Sequence, residues 1–128
     1  MKTHNDPRAF IGASQMAAIS VCIRGEEGQF FKDKLCELSA LISSMPKTYE
    51  QDGKGEDAIA YLHYFKGAAD WYITEKDMEA EQHQAFGLAD LGYGGELGYI
   101  SLVEILGAGA ELDLYFKPRT LAEIKKAN

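Results

Sequence analysis

The sequence predicts an α+β domain: a mostly antiparallel sheet of about four to six strands, one longer helix at about residues 26–44, and short C-terminal helices packed on the sheet. Three observations predict it. One segment carries a clear helical period. Downstream of it, short aromatic and branched runs alternate with glycine turns, and such short turns join antiparallel strands. Near the end, two Ser/Thr-x-x-Glu signatures announce short helices. A chain of 128 residues holds one hydrophobic core, so residues 1–128 are read as a single domain.

Residues 1–12 are polar and carry Pro7, and are expected to form a flexible arm. Residues 13–23 are small or β-branched, and their periodicity does not separate helix from strand. The run is about as long as a signal-peptide core. However, Gln15 and Ser20 interrupt it, Arg24 closes it, and no small-residue cleavage site follows. Phe31, Leu35, Leu38 and Ile42 then recur at spacings of four, three and four, which places them on one helical face. Glu26 and Glu27 sit where the helix dipole favours negative charge, and Pro46 forbids continuation.

Residues 47–57 are polar with two glycines and are read as a mobile loop. Residues 58–65 are aromatic and branched enough to be a strand, and residues 66–69 turn the chain into a second one at 70–74. The charged connection 75–81 leads to a third strand at 85–91. Gly92, Gly94 and Gly95 reverse the chain before a strand at 97–100. Ser101 and Glu104 have capping-box spacing and start a short helix, which Gly107 and Gly109 end. Residues 111–116 alternate as one more strand, Pro118 breaks it, and Thr120 with Glu123 caps a terminal helix. Turn-linked strands of this kind place the helices on one side of the sheet.

The composition limits the function classes. A net charge of −7 argues against broad attraction to nucleic acid or anionic lipid. No stretch reaches the roughly 20 apolar residues of a membrane span, so the protein is expected in the cytoplasm. Cys22 and Cys36, fourteen residues apart within apolar segments, read as reduced core thiols. His-x-x-x-His, Cys-x-x-Cys, calcium-loop, Walker and Gly-x-Ser-x-Gly patterns are all missing, so neither a metal nor a cofactor is expected.

Among the histidines His4, His63 and His83, His63 lies inside a predicted strand and points opposite to its neighbours. Asp90 and Glu96 flank the glycine turn, while Asp113 and Lys117 flank the last strand. If those strands were neighbours, the carboxylates would meet at one sheet edge and could do acid–base work, or could tie loops together. Catalytic candidates are therefore Asp90, Glu96, Asp113 and His63. Between residues 67 and 116 ten acidic residues face a single basic one, Lys76. Glu75, Asp77, Glu79 and Glu81 form the densest part, read either as a solvated surface or as a docking face for a basic protein surface.

Several phrases recur together: Thr48-Tyr49-Glu50-Gln51-Asp52-Gly53, Leu62-His63-Tyr64-Phe65, Asp70-Trp71-Tyr72-Ile73-Thr74-Glu75, Ala85-Phe86-Gly87-Leu88-Ala89-Asp90-Leu91-Gly92, Glu96-Leu97-Gly98-Tyr99-Ile100 and Asp113-Leu114-Tyr115-Phe116-Lys117-Pro118. In this order, over residues 47–124, the chain resembles a bacterial domain-of-unknown-function family, number 2958, common on plasmids, phages and other mobile elements. The resemblance implies a setting rather than a chemistry: accessory genes of mobile DNA, with anti-restriction or another defence-evasion task among the roles such a setting holds. The expectation is a non-enzymatic accessory protein that binds a protein partner with a basic surface, with no direct contact to nucleic acid or membrane. The alternative is a small hydrolase-like or nucleotide-handling enzyme built on the carboxylate cluster.

Overall fold

A computed structural model describes residues 6–127. The first element among the described residues is a tight 3-10 turn at Pro7–Phe10, where the Asp6 side chain accepts the Arg8 amide. Phe10 and Ile11 are buried in the core. The arm expected over residues 1–12 is therefore anchored from Pro7 onward, because two large apolar side chains gain more from burial than the short segment loses in entropy. Residues 1–5, with His4, lie outside the described residues.

Helix α1 runs over Ala13–Ile23 and resolves the ambiguity of that segment. Helix α2 follows at Gly28–Ser44 after a turn so close that a Cβ on Gly28 would lie 2.1 Å from the Ile23 carbonyl oxygen. On α2 the predicted face points inward: Leu38 and Ile42 are buried, and Phe31 and Leu35 pack at the margin. Cys22 is partly buried, but Cys36 is exposed, on the solvent side of α2 rather than in the core.

The strands are β1 (Ile59–Ala60), β2 (Leu62–Lys66), β3 (Ala69–Glu75), β4 (Ala85–Asp90) and β5 (Gly95–Ile100). Helix α3 (Leu102–Gly107), strands β6 (Glu111–Leu112) and β7 (Arg119–Thr120), and helix α4 (Leu121–Ala127) complete the chain. Five strands form one antiparallel sheet in the order β5-β4-β3-β2-β6, and β1 pairs with β7 in a separate two-stranded ladder. The predicted strand at 58–65 is thus two strands that join different sheets. The predicted strand at 111–116 stops at Leu112, because the Asp113 carboxylate accepts the Tyr115 amide at 2.9 Å and turns the chain. Between β4 and β5 the glycine turn works as expected, with φ of 101° at Gly94, a conformation closed to most side chains.

Register divides the side chains between two faces. Leu62, Tyr64, Ile73 and Ala85 point toward α1 and α2 and join Phe10, Ile19, Ile42 and Leu102 in the main core. His63, Tyr72 and Leu88, paired in one row across β2, β3 and β4, point the other way. There Tyr72 and Leu88 meet Leu121 and Ile124 of α4, with Phe116 beside them. The helices therefore cover both faces, and the second face only in part. Trp71, partly buried, packs against the main core.

Candidate functional site

The loop at 47–57 is where the structure departs most from a mobile segment. Thr48 is buried; its hydroxyl donates to the backbone oxygens of Lys76 (3.1 Å) or Gln84 (2.7 Å), and its amide donates to the Lys76 carbonyl at 2.8 Å. The buried Gln51 side chain donates to the Ile59 and Thr74 carbonyls at 2.9 and 2.7 Å and accepts the Ile59 amide at 2.8 Å. A side-chain amide thus substitutes for a missing stretch of ladder between β1 and β3, leaving the loop pinned against the sheet. Tyr49 is held between these two anchors at φ 80°, an uncommon conformation for a bulky residue.

That pinning creates a cleft of about 470 Å³ beside the partly covered sheet face. Its lining includes Tyr49 and Asp52 from the loop, Glu75 at the end of β3, Phe86 from β4, and Leu97 and Tyr99 from β5. Tyr49 and Tyr99 are 59% and 55% exposed and form the rim, whereas Glu75 is 3% exposed and forms the floor. The two tyrosine hydroxyls touch each other. The Tyr99 ring stands edge-on to Tyr49 (6.4 Å, 83°) and to Phe86 (5.6 Å, 88°). The bond with Tyr49, then burial, then the nearby Tyr49, Asp52 and Glu75 hold the Tyr99 hydroxyl above the usual phenol range. Among the described residues the Glu75 carboxylate accepts only long hydrogen bonds, from the Gln51 amide at 3.3 Å and from the Thr74 hydroxyl at 3.4 Å, whose proton the Phe86 carbonyl also draws at 3.1 Å. Among the described residues, no lysine, arginine or histidine forms a salt bridge with it.

His63 and Asp113 do meet, joined by Asp70, which the sequence did not single out. The His63 ring contacts Asp70 through Nε2 at 2.7 Å and Asp113 through Nδ1 at 3.1 Å. It stacks on Tyr72 at 4.6 Å and 7°, with Phe65 and Phe116 flanking it, and its side chain is 15% exposed. The two carboxylates thus hold the ring at both nitrogens and act together as a clasp. Neither nitrogen is left to take a proton from a substrate.

The rest of the expected carboxylate cluster does not form. Strands β2 and β3 separate β4 from β6, so Asp113 and Lys117 are not neighbours of the glycine turn. Asp90 lies across from Asp70, and its carboxylate accepts the Gly92 amide at 2.8 Å. Glu96 pairs in register with Ala89, so it belongs to the opposite face from Asp90, and it is exposed.

The acidic segment at 75–81 also splits. Glu75 is the cleft floor, and Asp77 is 6% exposed, with its carboxylate accepting the amides of Glu79 (3.2 Å), His83 (3.1 Å) and Gln84 (3.0 Å). Only Glu79 and Glu81 remain on the surface, so half of the expected docking face is buried. Asp77 is buried because three backbone donors converge on it in a loop that has no ladder to use. His83 is exposed, with Nδ1 3.4 Å from the Ser101 hydroxyl.

A family model described as protein of unknown function (DUF2958) matches residues 35–124. The chain belongs to this family. No curated protein and no solved structure matches it. Every cleft residue of the DUF2958 chain, and the His63 clasp, lies inside the matched span, whereas α1 lies before it. No helix of the described residues is long and apolar enough to cross a membrane. The cleft went unread in the sequence because its parts are spread over four separate segments. Tyr49, Phe86 and Tyr99 stand out as aromatics, but nothing in their spacing announces that they converge.

Proposed function

We propose that this chain is a non-enzymatic interaction module that acts in the cytoplasm by binding the basic surface of a protein partner, as an accessory protein of a mobile element. The cleft carries this reading. It combines exposed aromatic and aliphatic surface with a buried carboxylate, and that pairing suits a partner presenting apolar contacts around a positive charge. The exposed Glu79 and Glu81 support it by adding negative potential that speeds the approach of a basic surface. A hydrolase-like or nucleotide-handling enzyme is supported less. Asp90 and Glu96 belong to opposite faces, and both His63 nitrogens are engaged.

Capture from a host lysate tests the proposal. The wild-type chain should retain a protein that Leu97→Arg loses, because the new cation fills the cleft and repels a basic partner. Glu79→Lys with Glu81→Lys should slow that association without lowering the melting temperature. A retained protein indifferent to Leu97→Arg would remove the cleft from the interface. Retention of no protein would remove the reading itself.

A further inference from the structure

We propose that the cleft is a receptor for one arginine side chain of the partner, with the guanidinium paired to the Glu75 carboxylate and lying against the rings of Tyr49, Phe86 and Tyr99. The inference rests on the interaction reading and names the group recognised.

Glu75 sets the requirement. A carboxylate withdrawn from water is stable only when strong donors or a positive charge replace the lost solvent. Among the described residues this one has two long hydrogen bonds, one on each oxygen, and no cation paired with it. Both oxygens therefore keep acceptor capacity, and the residue lines the cleft. Among the described residues no group of three or more metal-ligating side chains gathers, so an organic cation is the complement the site fits. The aromatic rings agree with that choice. Ring faces attract cations, and three rings around one carboxylate repeat the chemistry by which proteins hold organic cations.

Arginine fits better than lysine. A lysine ammonium is a strongly hydrated point charge that asks for three acceptors, and the floor offers one carboxylate. A guanidinium is flat and weakly hydrated, can donate two parallel bonds to one carboxylate, and stacks on aromatic faces. The volume of about 470 Å³ also has room for the side chain with its flanking backbone. At the rim, Asp52 is exposed and adds a second negative charge near the entry path.

The test is calorimetric titration of the full chain with a blocked Gly-Arg-Gly peptide, beside its lysine and citrulline counterparts. Citrulline keeps the shape of arginine and removes the charge. The arginine peptide should bind, the lysine peptide several-fold more weakly, and the citrulline peptide at least about ten-fold more weakly. Glu75→Gln should weaken the arginine peptide by about the same factor while keeping its melting temperature, and Phe86→Leu should weaken it several-fold. The citrulline comparison uses the unaltered chain, so a Glu75→Gln protein that failed to fold would leave the test intact. Equal binding of arginine and citrulline peptides, or no binding of the arginine peptide at millimolar concentration, overturns the assignment. If the captured host protein still depends on Leu97 in that case, the interaction reading stands without the arginine. If the arginine peptide binds and no host protein is retained, the guanidinium site stands and the protein-partner reading falls.

Discussion

Tyr64 puts a phenol in the middle of the main core, and its hydroxyl donates to the Phe10 carbonyl at 2.5 Å. Burial pushes that hydroxyl far above the usual phenol range, so it remains a donor at any pH at which the fold survives. Tyr64→Phe keeps the ring and leaves the Phe10 carbonyl without this donor, which should cost about 1–3 kcal/mol in a urea titration. A loss indistinguishable from zero would mean that the carbonyl finds another donor. The same residue shows what was legible at this scale. Strand alternation alone puts Tyr64 and His63 on opposite faces. Alternation is silent on Glu75 and Asp77, because they accept amides that loops before and after them deliver. Two acids of a run read as surface therefore became a cleft floor and a loop brace, while Glu79 and Glu81 stay exposed.

Individual elements followed their local signals closely where those signals were chemical. Thr120 and Glu123 form the expected reciprocal box: the Glu123 carboxylate accepts the Thr120 amide at 3.1 Å, and the Thr120 hydroxyl accepts the Glu123 amide at 3.2 Å. These bonds to Thr120, the backbone one first, hold the Glu123 carboxyl below its usual range, with a smaller contribution from Arg119. A carboxyl lowered on folding stabilises α4 above its unfolded pKa, and that support is lost as pH falls through the folded value. The Thr120 amide resonance should therefore titrate below the ordinary glutamate range. Thr120→Ala should return Glu123 toward that range and destabilise α4 by about 1 kcal/mol. An unchanged Glu123 titration in that variant would show that the Thr120 hydroxyl has no share in lowering it and that the backbone amide acts alone. Signals resting on periodicity alone were weaker guides. The aromatic run at 58–65 divides at Tyr61 because residues 59–60 pair with β7 and residues 62–66 with β3, a change of partner that the run itself does not reveal.

At the scale of the whole molecule, the family match begins at residue 35, yet the core does not. Phe10, Ile11 and Ile19 contribute three large buried side chains from before that point. Gln15 reaches across to β6, donating to the Leu112 carbonyl and accepting the Leu112 amide, each at 2.8 Å. That pair of bonds completes the outer side of β6 and closes this edge of the sheet to pairing with another chain. The N-terminal segment is thus both a lid on the core and a cap on the edge. Fully burying each large apolar side chain is worth about 1.5–3 kcal/mol. Together the three approach the roughly 5–15 kcal/mol by which an ordinary domain is stable. A chain lacking residues 1–24 should therefore lose its cooperative thermal transition, although it retains all of the matched span and every cleft residue. Gln15→Ala is the milder form of the test: it leaves one donor and one acceptor of Leu112 without their partner and should lower stability by about 1–3 kcal/mol. Ser14→Ala, at an exposed neighbouring position, should change it by no more than about 0.5 kcal/mol. A truncated chain that still melted cooperatively and bound the arginine peptide would show that the matched span is self-sufficient. The N-terminal segment would then be an addition rather than part of the folding unit.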